Sequence, residues 1–167
     1  GVKFAEVMVP HTELAENAYV IKVPETTDET GAAPVETGPA PILALLADAD
    51  PAAGEKLAKK CTACHVFEAG GANKVGPALW GVVNKAKASV DGFAYSAALA
   101  GFGGAWDYQS LNAFLAKPKA YISGTKMNFA GLKKPEDRAN MVAWLRIMAD
   151  SQAPLPTPED IAAESGS

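Results

Sequence analysis

Apolar residues recur at helical spacing in one block of the chain. After residue 134, Met141, Trp144, Leu145 and Met148 fall at i, i+3, i+4 and i+7, the stripe of a helix with one buried face. Pro135 sits at its first turn, and Glu136 and Asp137 follow it where the helix dipole favours negative charge. Leu111, Phe114 and Leu115 mark a second apolar face, which must stop before Pro118. An earlier helix is predicted from Asp50, a capping residue, with Pro51 at its first position, running through Gly54, Leu57 and Lys60 to Cys61. A short one is predicted from Ser96 to Gly101. Nothing between 50 and 150 alternates in the manner of a strand, and no internal repeat is present. The predicted fold class is all-α, with long Gly- and Pro-containing connections at 66–92 and 117–134. Loops of that length in so small a domain need something to wrap around.

Composition narrows the class, and charge divides the chain. The 167 residues are 49% apolar and 20% charged, ordinary for a globular domain. The longest apolar run, Ile42 to Ala47, is six residues, whereas a spanning helix needs about 20. The sequence begins at Gly1 without a secretion signal, so an anchoring or targeting segment is expected to have been removed or left out. Residues 1–50 carry a net charge of −7, residues 51–150 carry +6 and residues 151–167 carry −3. With its prolines, Thr, Glu, Gly and Ala, segment 1–49 is expected to be an acidic linker. Residues 50–150 form the domain, and 151–167, with Pro154, Pro156 and Pro158, a flexible tail.

The chemistry concentrates at Cys61-Thr62-Ala63-Cys64-His65. These are the only two cysteines, two residues apart, and a histidine follows the second. C-x-x-C-H is the c-type haem attachment pattern: two thiols one helical turn apart reach the two vinyl groups of one haem, and the next side chain meets the iron. A thioredoxin-like pair would want a βαβ setting. A zinc site would need four ligands, and the only other histidine, His11, is isolated in the linker. For a sixth iron ligand there are four methionines. Met141 and Met148 belong to the helical stripe and Met8 to the linker. Met127 alone lies in a loop, between Gly124 and Gly131, placed to reach the far side of a haem from His65.

Over residues 50–149 these motifs, in their order, resemble class I cytochrome c. The set is the helix with Gly54, Cys61 to His65, Val75-Gly76-Pro77-Ala78-Leu79-Trp80-Gly81, Gly92-Phe93-Ala94-Tyr95-Ser96, Trp106, Lys117-Pro118-Lys119, Gly124 to Gly131, and the final helix around Trp144. The acidic flank, with Ala18 to Val23 inside it, resembles that of membrane-anchored proteobacterial members. The resemblance implies one covalently attached haem c, thioethers at Cys61 and Cys64, and iron ligation by His65 and Met127. It implies that the Pro77 carbonyl accepts from the His65 ring, that Tyr95 and Trp106 bond a haem propionate, and that Gly54 lets the first helix approach the last. Four positions depart from the pattern: Lys85 for an arginine, Phe114 for a tyrosine, Ala58 for a large aromatic and Ser123 for a proline.

The expected role is that of a monomeric electron carrier, not an enzyme, since both axial positions are filled. The resemblance implies a cytochrome bc complex as donor and a terminal cytochrome c oxidase as acceptor, in a respiratory or photosynthetic chain on the periplasmic side of the bacterial inner membrane. Membrane attachment would come only through the missing anchor. Lys60, Lys119, Lys126, Lys133 and Lys134 flank the redox motifs and are expected to steer the domain onto acidic partners. Nucleic acid is not an expected partner. Two other classes remain open: a haem enzyme in which Met127 dissociates, and a haem c subunit docked permanently in a larger redox complex by its acidic linker.

Overall fold

The computed structural model describes residues 38–165, which lie within one unit, Glu36–Ser167. Met8, His11, the Ala18 to Val23 segment and the linker before residue 38 fall outside the described residues.

Six helices follow one another: α1 Pro51–Ala58, α2 Ala97–Ala100, α3 Tyr108–Ala116, α4 Pro118–Tyr121, α5 Pro135–Ile147 and α6 Pro158–Ser165. Three starts are fixed by short polar side chains that accept from otherwise orphaned amides. Asp50 accepts from Ala52 N, Ser96 from Leu99 N at 3.1 Å, and Asp107 from Ser110 N at 2.6 Å. Pro51, Pro118 and Pro135 occupy first turns, where no amide is needed. Among the described residues there is no strand; a single antiparallel bridge pairs Ala86 with Ala105.

The core lies where α1 and α3 meet α5. On α5, Met141, Val142, Trp144 and Leu145 are buried, and from α3 Leu111, Phe114 and Leu115 join them. Gly54 is where α1 crosses α5 most closely: a Cβ there would stand 2.7 Å from Trp144 Cβ and would run into the Asn140 carbonyl. Ala58 is buried, and Phe67 packs edge-on against Trp144 at 4.7 Å.

Both flanks differ from the expected boundaries. Residues 42–46 are not linker: Leu43–Leu45 form a 3₁₀ turn, and Ile42, Leu43 and Leu46 enter the core, Ile42 with no exposure at all. The run too short to cross a membrane is long enough to plug a core. The tail is likewise structured, since Tyr108 Oη donates to Pro154 O at 2.8 Å, Arg146 Nε to Ala153 O at 2.6 Å, and Ile161 on α6 packs on the core. Proline spacing resembles a linker in composition, but here it carries the chain along the surface to a docked helix. The first helix ends at Ala58, short of the expected end at Cys61, and tight turns carry the chain on through Lys60 and Cys61.

Candidate functional site

Beyond α1 the chain turns tightly, with Cys64 N and His65 N both donating to Cys61 O, at 3.0 and 2.9 Å. This places both thiols and the imidazole beside a cavity of about 290 Å³. Leu79, Val82, Leu99, Leu111, Phe114 and Leu145 give it apolar walls, and Met127 and Met141 face it with sulfur-bearing side chains. Cys61 and Cys64 are not joined in a disulfide. Burial and the neighbouring Cys64 push the Cys61 thiol above its ordinary range, with Lys60 pulling the other way. A disulfide-exchange nucleophile needs its pKa lowered, so this environment disfavours a thiol redox pair. Among the described residues no cluster of three or more His, Cys, Asp and Glu side chains could hold a metal ion.

The His65 ring is oriented by its neighbours. Nδ1 lies 2.7 Å from Pro77 O; a carbonyl only accepts, so Nδ1 carries the proton and Nε2 keeps its lone pair. Burial lowers the pKa of the ring, against the opposing effect of that hydrogen bond, and so favours the neutral form that a metal ligand needs. Gly76 closes over the ring: a Cβ there would lie 2.7 Å from both ring nitrogens. In the sequence Gly76 stands out only as part of the motif from Val75 to Gly81. A glycine before a proline was the signal present.

Tyr95, Trp106 and Met127 line the same cavity as Cys61, Cys64, His65 and Pro77. Val90 N donates to Tyr95 Oη at 3.3 Å, which leaves the phenol hydrogen to donate elsewhere, and burial raises the Tyr95 pKa so that this hydrogen is retained. Trp106 packs between Phe114, at 4.9 Å, and the Lys87 ammonium, at 5.2 Å from its ring centre. In the Met127 loop, Thr125 Oγ1 accepts from Met127 N at 3.3 Å, and Gly131, at φ +90°, closes against the Ala116 carbonyl. Thr125 was not singled out from sequence; only its buried position reveals it. Lys85 faces the cavity and donates to Trp80 O at 3.3 Å.

Of the five flanking lysines, all exposed, Lys60 and Lys126 line the cavity, and Lys119, Lys133 and Lys134 lie outside its lining. Lys126 Nζ donates to Ala94 O at 3.1 Å, and Lys119 Nζ to Asn128 Oδ1 at 3.0 Å. Val75, named within the motif through Gly81 but given no role there, stands 79% exposed at the same cavity.

Residues 51–149 match the family model for cytochrome c. The chain belongs to the cytochrome c family. A cytochrome c homolog of Rickettsia conorii is 42% identical over 137 residues, covering 82% of this chain and 78% of that protein. One from Bradyrhizobium diazoefficiens is 48% identical over 118 residues, 70% of this chain and 64% of its own. Among solved structures, cytochrome cH from Methylobacterium extorquens superposes with a TM-score of 0.56 at 43% identity, covering 59% of this chain and 98% of that one. This is a class I, all-α cytochrome c, an electron carrier with one covalent haem c attached through the Cys61-x-x-Cys64-His65 motif. The apolar walls, the unpaired thiols and the imidazole with Nε2 available fit that group. No helix of the cytochrome among the described residues is long and apolar enough to cross a membrane.

Proposed function

We propose that this cytochrome carries electrons from a cytochrome bc complex to a terminal cytochrome c oxidase, on the periplasmic side of the bacterial inner membrane, with His65 and Met127 as its axial ligands. The observation that carries the reading is one apolar cavity whose lining includes the His65 ring, with its Nδ1 already engaged by Pro77 O, and the Met127 side chain. When bound there, the haem supplies a one-electron change at iron. The chain's own residues do the rest. Pro77 fixes the imidazole and raises its basicity, and Thr125 holds the backbone of Met127. Tyr95 and Trp106 have donors to offer a propionate, and Lys85 adds a positive charge. The apolar walls exclude water and limit the reorganisation that accompanies charge change. With His65 and Met127 both holding the iron, no position on it would be left for a substrate, which supports a carrier in place of an enzyme.

Docking is assigned to the exposed lysines. Lys60 and Lys126 at the cavity supply positive charge suited to acidic partners, Lys119, Lys133 and Lys134 follow near the Met127 loop in sequence, and exposed Val75 adds an apolar contact. Such faces raise association rates in a salt-dependent way. The test is stopped-flow electron transfer from a purified bacterial bc complex and to a purified c-type oxidase, at several ionic strengths. Fast second-order rates with both, falling with salt and falling further in Lys60→Gln and Lys126→Gln, support the assignment. Slow, salt-independent transfer with both would remove these partners.

A further inference from the structure

Arg138, in the first turn of α5, is 2% exposed, and none of the groups it donates to is a carboxylate. Nε donates to Asn112 Oδ1 at 2.6 Å, Nη1 to Leu132 O at 3.0 Å and to Lys133 O at 2.9 Å, and Nη2 to Ala40 O at 3.0 Å. Asn112 Nδ2 adds a second bond to Ala40 O at 3.1 Å. One buried guanidinium therefore joins three segments: α3, the backbone just after Gly131 that closes the Met127 loop, and the lead-in to the domain. The lead-in is held again two and three residues on. There Glu164 of α6 accepts from Ile42 N at 3.4 Å and Leu43 N at 2.7 Å, while Ile42 and Leu43 enter the core. Ala40, Ile42, Leu43 and Glu164 all lie outside residues 51–149, the part matched by the family model.

We propose that Arg138 is a positioning residue for the Met127 loop and that the lead-in, residues 40–46, completes its seat, so that release of the lead-in loosens the loop. A guanidinium is planar and presents its donors in a fixed fork. It satisfies Ala40 O together with Leu132 O and Lys133 O only in one place. If Ala40 O departs, a buried cationic donor is left unpaired, and regaining a partner from water draws the group off the loop carbonyls. The ligand readout below rests on Met127 as the distal iron ligand; the amide readout does not.

The test uses the full-length holoprotein with Ile42→Lys, which puts an ammonium where no exposure is available and expels the lead-in, and with Glu164→Gln, a milder change outside the core. Amide hydrogen exchange is read over 38–46 and 124–134, and cyanide binding to the ferric protein is followed by stopped flow. The expected result is faster exchange in both segments together and cyanide association about tenfold faster in Ile42→Lys, the equivalent of one charge-assisted hydrogen bond lost from the closed loop. Glu164→Gln should move both in the same direction by less. Arg138→Lys, which keeps the charge and loses the fork, should loosen 124–134 without rescue. Exchange that rises in 38–46 alone, with 124–134 and the cyanide rate at wild-type values in either lead-in variant, overturns the proposal. If Met127→Ala leaves the spectrum unchanged, the ligand assignment fails, and the exchange data still decide the coupling.

Discussion

Replacing Gly54 by alanine sets two effects of known sign against each other. In an isolated helix the change is favourable by about 1 kcal/mol, because glycine has more backbone freedom to lose. In this structure the new methyl would stand 2.7 Å from Trp144 Cβ and collide with the Asn140 carbonyl, neither of which can rotate away. Restoring ordinary contact requires α1 to withdraw from α5 by about 1 Å, a strain of the overpacking kind, which costs about 1–3 kcal/mol. A rigid backbone obstacle places it at the upper end, near 3 kcal/mol. The net expectation is a destabilisation of about 2 kcal/mol, or roughly 5–10 °C in Tm for a domain of this size. Urea unfolding of the holoprotein, followed by Trp fluorescence and checked by a thermal scan, measures it. A Gly54→Ala protein as stable as wild type, or more stable, would refute the reasoning, for it would show the propensity gain unopposed.

Other substitutions probe single contacts. Asp107→Ala removes the acceptor for Ser110 N and should lower stability by about 1 kcal/mol with an unchanged urea m-value. Gly76→Ala places a methyl on the His65 ring and should reduce the yield of low-spin holoprotein far more than Gly38→Ala, where nothing lies within 4 Å. The Asp160 carboxylate accepts from Thr157 Oγ1 at 2.7 Å and Thr157 N at 2.8 Å, which lowers its pKa. A carboxylate depressed on folding stabilises above its unfolded pKa, about 3.9. That stability is lost as pH falls below that value through the folded pKa. Amide exchange in α6 should therefore accelerate below about pH 4, and Asp160→Asn should lack that step; a step that survives in the variant would assign it elsewhere.

The fold class and the site motif were legible because both rest on local rules. The caps at Asp50 and Ser96, the proline at the start of α5 and its apolar stripe are read within a few residues, and Cys61 to His65 are adjacent. What was missed depends on distance in sequence. Ile42 and Leu43 read as linker because Glu164, which accepts from both their amides, lies 122 and 121 residues away. Pro154 to Pro158 has the composition of a flexible tail, and only Tyr108 and Arg146 show that it is held. Arg138 carries no signal at all: a cation in the first turn of an amphipathic helix reads as surface, and its burial follows from carbonyls that no pattern announces. Gly76 was visible as a residue and invisible as a contact, since its importance lies in a ring that folds over it.

In the proposed holoprotein the iron is held between His65 and Met127. The optical spectrum of the purified holoprotein, oxidised and reduced, tests it directly through the weak far-red band of methionine sulfur on ferric iron. Iron held by His65 and Met127 gives low-spin c-type bands on reduction and a far-red band lost in Met127→Ala but kept in Met148→Ala and in Met141→Leu. Survival of that band in Met127→Ala, or its loss in Met141→Leu with Met127 intact, would contradict it.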